Sequence, residues 1–192
     1  MAKKIFDTFF AMAGLLVFGS IILFFFIVIC LTTGKNGFFV QTRIGQHGKK
    51  FTIFKLRSMT DVNGVKEVTP LGRFLRKYKI DELPQLYNIL IGDMSFVGPR
   101  PDVPGYYDTL KGDDKELLKL KPGLTGPASL KYANEEQLLS AIKDPVYYND
   151  KVIFPDKVRI NRNYQKRRTL WLDILLILYT IIGRKPTEEY LQ

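Results

Sequence analysis

The chain has 192 residues, a length typical of one domain, and its hydrophobic fraction of 46% excludes an intrinsically disordered protein. It carries 29 Lys and Arg against 19 Asp and Glu, and the resulting net charge of +10 favours anionic partners. With one Cys and one His, the chain can form neither a disulfide framework nor a Cys/His zinc cage.

A long uncharged apolar segment extends from Phe9 to Leu31. As an α-helix it is long enough to cross a hydrocarbon core of about 30 Å. It is longer than the roughly 7–15 apolar residues of a signal peptide. No small-residue cleavage site follows Leu31. We therefore predict a helix that is retained in the membrane.

The charges that flank this segment bear on its topology. Basic residues lie on both sides of it, at Lys3, Lys4, Lys35 and Arg43. The positive-inside rule favours the cytoplasm for both ends, which a helix that bends and re-emerges satisfies and a straight span does not. Gly14 and the Gly19–Ser20 pair are candidate positions for such a bend. A straight anchor followed by a basic domain is the alternative.

A small β-hairpin is predicted after the membrane helix. Phe38–Val40 and Phe51–Leu56 have the composition of strands, and a glycine-containing turn joins them. Alternation along the second strand places Lys55 and Arg57 on one face. Two cations on one face indicate contact with a phosphate or a lipid headgroup, or exposure to water.

The rest of the chain is predicted to be mostly helical. Thr69–Pro70 begins a helix, because a capping hydroxyl precedes a proline at the first helical position. A second helix spans Pro84–Ile91 and ends at Gly92, with an apolar face of Leu83, Leu86, Tyr87 and Leu90. Further helices are expected at Asp114–Leu120, Asn134–Ile142 and Asp156–Thr169. The predicted fold class is therefore α+β, mostly α.

A second apolar segment, Leu170–Ile182, is too short to span a bilayer. It contains Trp171 and Tyr179 and follows the basic run Lys166–Arg168. This order is typical of a helix that lies in the membrane interface, with its cations near anionic headgroups. A helix buried in the protein core is the alternative.

Asp81 and Glu82 form the strongest candidate site. They open a helix and follow a group of basic residues, Arg73, Arg76, Lys77 and Lys79. A helix N-terminus with cations nearby binds anions, and we expect it to lower the pKa of both carboxylates. An ionised carboxylate can hold Mg²⁺ or attack phosphorus. The alternative is structural: Asp81 caps the helix and Glu82 compensates the helix dipole.

Gly98–Pro101 is the second candidate site. Its prolines restrict the backbone and hold Arg100 in place, and a fixed guanidinium suits a bidentate phosphate contact. A rigid turn with a solvated arginine is the alternative. The chain contains neither a G-x-x-x-x-G-K-[ST] nor a G-x-G-x-x-G motif, so phosphate-binding loops of those two classes have no support.

In this order, these segments resemble the small monotopic phosphoglycosyl transferases, the bacterial sugar transferase family. The matching segments are Phe51–Met59 (FTIFKLRSM), Arg76–Asn88 (RKYKIDELPQLYN), Gly92–Pro101 (GDMSFVGPRP), Lys121–Gly126 (KPGLTG) and Leu172–Asp173. They extend over nearly the whole chain, and the run from Asp81 to Pro101 is the most specific.

The resemblance implies an enzyme of the bacterial inner membrane, with a re-entrant membrane helix at residues 1–35 and interfacial helices in a cytoplasmic catalytic domain at 36–192. It implies transfer of a phosphosugar from a UDP-sugar to polyprenol phosphate through a covalent aspartyl intermediate, with release of UMP. This is the first membrane step of glycoconjugate synthesis. Mg²⁺ is the implied cofactor. Membrane lipids and downstream glycosyltransferases are further implied partners, and nucleic acid is not.

The resemblance also implies roles for particular residues. Asp81 corresponds to the nucleophile and is the expected metal ligand, and Glu82 completes the catalytic pair. The expected substrate-binding residues are of three kinds. Lys55, Arg76 and Arg100 correspond to basic positions of the family's active site, Arg57 is a neighbouring cation, and Asp173 corresponds to a recurrent acidic position.

Two departures from the family pattern leave alternatives open. Ser20 is followed by Ile21 where relatives commonly have Ser-Pro, so the sequence leaves the bend in the membrane helix open. Pro127–Glu136 also differs from the usual segment, which leaves the donor sugar undetermined. A membrane-tethered basic protein that binds nucleic acid or anionic lipid without turnover is the alternative function, although no nucleic-acid-binding module is recognisable.

Overall fold

The computed structural model describes residues 1–62 and 64–184 of the chain. These residues are mostly helical and contain three short pairs of strands, which confirms the predicted α+β, mostly α class. They group into two compact units. The first unit comprises residues 1–43 and 50–94, and the second comprises residues 44–49 and those from 95 onward.

Helix α1, Ala2–Thr33, is the longest element of the first unit. It is the one helix in the described part of the chain that is long and apolar enough to cross a membrane. One face packs in a hydrophobic cluster of Ile22, Ile29, Leu56 and Leu75. The opposite face is apolar and exposed, as at Leu16 and Leu31. An exposed apolar face of this length is compatible with the predicted membrane segment.

Two hairpins follow α1. Strand β1, Phe38–Ile44, pairs with β2, Lys50–Leu56, as predicted. Strand β3, Met59–Val62, pairs antiparallel with β4, Val65–Val68. The second hairpin was not predicted, because its strands are short and carry no clear apolar alternation.

Helix α2, Pro70–Lys77, begins as predicted, since the Thr69 hydroxyl accepts a hydrogen bond from the Gly72 amide at 2.9 Å. Gly72 lies directly against the backbone of Ser58. A Cβ at this position would be 1.9 Å from the Ser58 carbonyl oxygen, so glycine alone allows this approach. The contact brings α2 beside the end of β2.

Helix α3, Gln85–Ile91, ends at Gly92 in the left-handed conformation, as predicted. Its predicted apolar face is partly wrong: Tyr87 is exposed, whereas Asn88 is fully buried. The Asn88 amide donates to the Thr52 carbonyl at 2.7 Å and accepts from the Phe54 amide at 3.2 Å. A buried amide thus joins α3 to β2, which a search for apolar periodicity cannot detect.

We expect Asn88→Ala to destabilise the protein by about 2–4 kcal/mol, because it removes two hydrogen bonds and leaves a cavity. Thermal unfolding in detergent, followed by circular dichroism, measures this loss. Gln137→Ala removes an exposed amide and should leave the melting temperature nearly unchanged. A melting temperature of Asn88→Ala equal to that of wild type would contradict the proposed role of this side chain.

The second unit is built around a parallel strand pair that was not predicted. Strand β5, Ser95–Val97, pairs in parallel with β6, Gly123–Thr125. A hydrophobic cluster of Ile44, Val97, Tyr107, Leu117, Leu120, Leu130, Val158, Tyr164 and Leu176 surrounds the pair. The α-helix expected at Asp114–Leu120 is instead a 3-10 helix, Gly112–Lys119.

Among the described residues of the second unit, which end at residue 184, five α-helices complete the fold. They are α4, Pro127–Lys131; α5, Glu135–Ser140; α6, Pro145–Tyr148; α7, Phe154–Arg167; and α8, Leu170–Ile182. The predicted basic helix corresponds to α7, and the bounds of α8 are those predicted. A π-helical turn at Asn149–Ile153 leads into α7 just before Pro155, whose ring cannot follow a regular α-helical turn.

Candidate active site

Asp81 and Glu82 lie on a 3-10 turn, Ile80–Glu82, immediately before α3. Both are buried, with 7% and 8% of their surface exposed. Lys79 precedes them in the left-handed conformation with φ 58°, which is rare for a residue other than glycine. A strained residue beside two buried carboxylates is typical of a functional site.

Lys55 on β2 contacts this carboxylate pair. Its ammonium lies 3.0 Å from Glu82 Oε1, and the two side chains are 20% and 10% exposed. The Asn88 hydrogen bonds to Thr52 and Phe54 set the register of β2 against α3, and Lys55 follows directly in the chain. The structure therefore places Lys55 beside the pair, with its ammonium against the Glu82 carboxylate.

The other two cations predicted for this unit are held by neighbouring groups. The Arg76 Nε donates to the Ser58 hydroxyl at 3.0 Å. Arg57 donates to the Asn36 and Phe38 carbonyls at 2.7 and 3.1 Å, so part of its guanidinium is bound to the main chain. Both side chains are thereby fixed in direction.

A cavity of about 430 Å³ in the first unit brings these residues together. Asp81, Lys55, Arg57 and Arg76 all line it. Six basic residues and two carboxylates face it, with the basic set comprising Lys35, Arg43, Lys55, Arg57, Lys66 and Arg76. This volume and this excess of positive charge suit a ligand with several phosphate groups.

Sequence reasoning missed the contribution of β1 to this cavity. Phe39, Gln41 and Arg43 line it, and they alternate along one face of the strand. Arg43 donates to the Gln41 side chain at 2.7 Å. Alternation of side chains along a strand was the signal that could have found them. Lys66 on β4 carried no such signal, because its hairpin was not predicted.

The expectation that the helix N-terminus lowers the pKa of Asp81 is wrong. Burial raises the pKa of this carboxyl, and the neighbouring Glu82 raises it further. The charges of Lys55, Arg76 and Lys79 oppose this and reverse only part of it. Ionised Asp81 therefore carries a free-energy cost that a bound cation would reduce.

The alternative that Asp81 caps the helix is also contradicted. Neither the 3-10 turn nor α3 begins with a side-chain cap, and Asp81 Oδ1 is buried without a hydrogen-bond partner among the described residues. An unpartnered carboxylate oxygen is the kind of ligand that Mg²⁺ takes. The described residues contain no cluster of three His, Cys, Asp or Glu for a metal. Asp81 thus fits a Mg²⁺ site that phosphate and water oxygens would complete.

Arg100 and Asp173 belong to the second unit. Arg100 is exposed, in the turn that follows β5. Asp173 is 2% exposed, in the first turn of α8, and accepts a hydrogen bond from the Tyr164 hydroxyl at 2.5 Å. Substrate binding by Arg100 and Asp173 stays a prediction.

The chain is similar to known proteins over nearly its whole length. The family described as bacterial sugar transferase matches residues 1–184. The uncharacterized sugar transferase EpsL of Bacillus subtilis is 39% identical over 156 residues, covering 77% of each chain.

Two further relatives carry more specific names. The UDP-glucose:undecaprenyl-phosphate glucose-1-phosphate transferase of Xanthomonas campestris is 31% identical, covering 96% of this chain and 40% of the relative. The UDP-N-acetylgalactosamine-undecaprenyl-phosphate N-acetylgalactosaminephosphotransferase of Aeromonas hydrophila is 30% identical, covering 93% and 42%. The chain thus spans about two fifths of these two relatives, whose names specify different sugars.

Proposed function

Because the chain belongs to the bacterial sugar transferase family, we propose that it is a phosphoglycosyl transferase. It would transfer a phosphosugar from a UDP-sugar to a polyprenol phosphate, with undecaprenyl phosphate as the acceptor. The observation that carries this proposal is the buried Asp81–Glu82 pair, with Asp81 at the wall of a cavity lined by six basic residues. Names of relatives support the reaction class, and they leave the sugar open.

The proposed chemistry has two steps. Asp81 attacks the phosphorus that bears the sugar, the phosphoanhydride bond breaks, and UMP leaves. The phosphate oxygen of the acceptor then attacks the same phosphorus and displaces the Asp81 carboxylate, which forms a polyprenyl diphosphate sugar. One phosphoanhydride is exchanged for another, so no other energy source is required.

The cations of the first unit have a defined part in this scheme. Attack of a carboxylate on a diphosphate brings two anions together, so positive charge must offset their repulsion. Arg76 and Lys55, both at the cavity wall, would bind the phosphate oxygens, with Arg57 beside them. Mg²⁺ bound by Asp81 would supply further charge neutralisation and polarise the phosphoryl group. From the family resemblance alone, Arg100 is also proposed as a phosphate contact.

The test of this function is release of UMP by the purified protein. Incubation with Mg²⁺, undecaprenyl phosphate and a panel of UDP-sugars should release UMP with one or a few sugars. With that UDP-sugar alone, a burst of UMP equal to the enzyme concentration and a matching increase in protein mass would show the covalent intermediate. Steeply salt-dependent DNA binding without UMP release from any donor would instead support the alternative function.

The membrane helix is proposed to be re-entrant, with residues 1–35 embedded and 36–192 in the cytoplasm. Both halves of α1 pack within the first unit: Asp7 and Ala11 are buried near its start, and Ile22 and Ile29 near its end. Gly14 also faces α3, where a Cβ on this glycine would lie 3.1 Å from the Leu86 side chain. If α1 crossed the membrane as a straight span, its first half would lie away from α3. The packing thus supports a bent or shallow insertion.

We expect both ends of α1 to be inaccessible from the periplasm. Ala2→Cys and Lys35→Cys, each in a Cys30→Ser background, should react with a membrane-impermeant maleimide only after the cells are lysed. Labelling of residue 2 in intact cells would establish a spanning helix and contradict re-entry. Labelling of residue 35 in intact cells would contradict the cytoplasmic placement of the domain.

Helix α8 is proposed to lie in the membrane interface. Its outer face is apolar and exposed, with Trp171 and Ile181 each 75% exposed and Ile182 63%. Lys166, Arg167 and Arg168 precede it and are also exposed. An exposed apolar face next to a group of cations is typical of a helix that binds anionic bilayers.

Trp171 reports on this placement directly, because it is the only tryptophan in the chain. In anionic bilayers we expect its fluorescence to shift to shorter wavelength, and lipids brominated near the headgroup to quench it more than those brominated near the chain end. An emission maximum typical of indole in water, with full quenching by aqueous acrylamide, would contradict the interfacial placement.

A further inference from the structure

Helix α8 has two distinct faces. Trp171, Leu178 and Ile181 are exposed on one side, whereas Asp173 and Leu176 are 2% and 1% exposed on the other. Thr169 caps the N-terminus of the helix, since its hydroxyl accepts a hydrogen bond from the Leu172 amide at 3.1 Å. A buried carboxylate in a largely apolar helix needs hydrogen-bond partners, and each partner shows an element that the inner face contacts.

One hydrogen-bond partner of Asp173 is Tyr164, which is 3% exposed on α7. Its hydroxyl donates to Asp173 Oδ1 at 2.5 Å and lies 3.4 Å from the Val97 carbonyl oxygen. A hydroxyl carries one proton, so the shorter contact is the hydrogen bond and the carbonyl contact is secondary. Val97 is the last residue of β5 and directly precedes Gly98–Pro101, which we call the Arg100 turn.

The other end of α8 is joined to the same strand pair. The Thr180 hydroxyl lies 2.6 Å from the Thr125 hydroxyl on β6 and donates to the Leu176 carbonyl at 2.8 Å. Because the Thr180 proton is used within α8, Thr125 is the donor between the two hydroxyls. One end of the inner face is therefore bonded to Tyr164 and the other to β6.

The Arg100 turn is itself held by this strand pair. The Gly98 amide donates to the Thr125 carbonyl at 3.0 Å, and the Gly123 amide donates to the Pro99 carbonyl at 2.8 Å. Gly98 has no room for a side chain, since a Cβ would lie 2.3 Å from the Lys121 carbonyl oxygen. A shift of β5 or β6 would therefore move the Arg100 turn with it.

We propose that Asp173, Tyr164 and Thr180 are positioning residues, through which the inner face of α8 sets the Arg100 turn in the orientation that binds a substrate phosphate. This inference rests on the proposed function for its effect on activity. It also gives Asp173 a role without substrate contact. Since the outer face of α8 is the proposed lipid contact, docking at the bilayer would steady the same turn.

The test uses Tyr164→Phe and Thr180→Val, which break the contact at either end of α8. We expect kcat/KM for UMP release to fall about 10- to 100-fold, mainly through a higher KM for the UDP-sugar. In an Arg100→Ala background the same changes should lower kcat/KM by less than about twofold, because the side chain that they position is already absent. If each change lowers kcat/KM by the same factor in the Arg100→Ala background as in the wild type, the proposal is overturned.

Hydrogen–deuterium exchange tests the positioning independently of any activity. In the full-length protein in nanodiscs, both variants should speed exchange at the amides of residues 98 and 123, and Tyr147→Phe, an exposed tyrosine, should not. Unchanged exchange in both variants would overturn the proposal even if the enzyme releases UMP. Faster exchange in a protein that releases no UMP would uphold the positioning and reject the proposed function.

Discussion

Asp81→Asn should lower UMP release by at least about 10³-fold, because an amide oxygen cannot act as the nucleophile that forms the covalent intermediate. The burst of UMP with donor alone should disappear together with turnover. Glu82→Gln retains the nucleophile, so it should still show a burst, although a slower one. The order of these effects separates the attacking residue from its neighbour.

Asp81→Asn should leave the protein at least as stable as wild type. Burial and Glu82 raise the pKa of Asp81, so the ionised carboxylate is less favourable in the folded protein than in the unfolded chain. At pH values above the raised pKa of Asp81, its negative charge lowers the free energy of unfolding. A neutral asparagine amide of the same shape removes this loss of stability. A catalytic residue that costs stability is a common consequence of selection for function.

Thermal unfolding with and without Mg²⁺ tests the stability of Asp81→Asn and the proposed binding of Mg²⁺ by Asp81. Mg²⁺ should raise the melting temperature of wild type, because an ion that binds only the folded state stabilises it, and should have little effect on Asp81→Asn. Asp113→Asn, at a side chain that is 87% exposed, is the control for loss of one carboxylate. A melting temperature of Asp81→Asn several degrees below wild type, or undiminished UMP release, would contradict the role given to Asp81.

The local parts of this fold could be predicted because local signals determine them. Thr69–Pro70 begins α2, Gly92 ends α3, and the bounds of α8 follow from its apolar run. Strand alternation placed Lys55 on the same face as Arg57, and the family resemblance assigned it to the active site. The helix boundaries depend on residues within one or two turns of each other, whereas the assignment of Lys55 depends on the resemblance.

The parts that escaped prediction depend on contacts distant in sequence. The pairing of β5 with β6 joins segments almost thirty residues apart, and no pattern within either strand specifies a parallel partner. Asn88 is polar in sequence and fully buried in the structure, because its partners are main-chain groups of β2. The raised pKa of Asp81 has the same origin, since burial cannot be inferred from neighbouring charges alone.

Lys55→Met is the second change for which we expect a large effect, on stability as well as on activity. It leaves Glu82, with a side chain only 10% exposed, without its ammonium partner at 3.0 Å. Loss of an ammonium from beside a buried carboxylate is costly, and some access to solvent moderates that cost, so we expect the free energy of unfolding to fall by about 1–3 kcal/mol. Removing the cation also raises the pKa of Asp81 further, since Lys55 now lowers it. UMP release should therefore fall about 100-fold or more.

A double-mutant cycle separates the two effects of Lys55. Glu82→Gln in the Lys55→Met background removes the buried charge that Lys55 offsets in the wild type, so most of the lost stability should return while UMP release stays low. Lys119→Met breaks an ion pair with Glu116 whose side chains are 63% and 56% exposed, and it should cost at most about 0.5 kcal/mol. If Lys55→Met is no more destabilising than Lys119→Met, the buried pair contributes little to the fold. If UMP release returns along with stability in the double variant, Lys55 acts on Glu82 alone and has no direct part in neutralising the substrate phosphates.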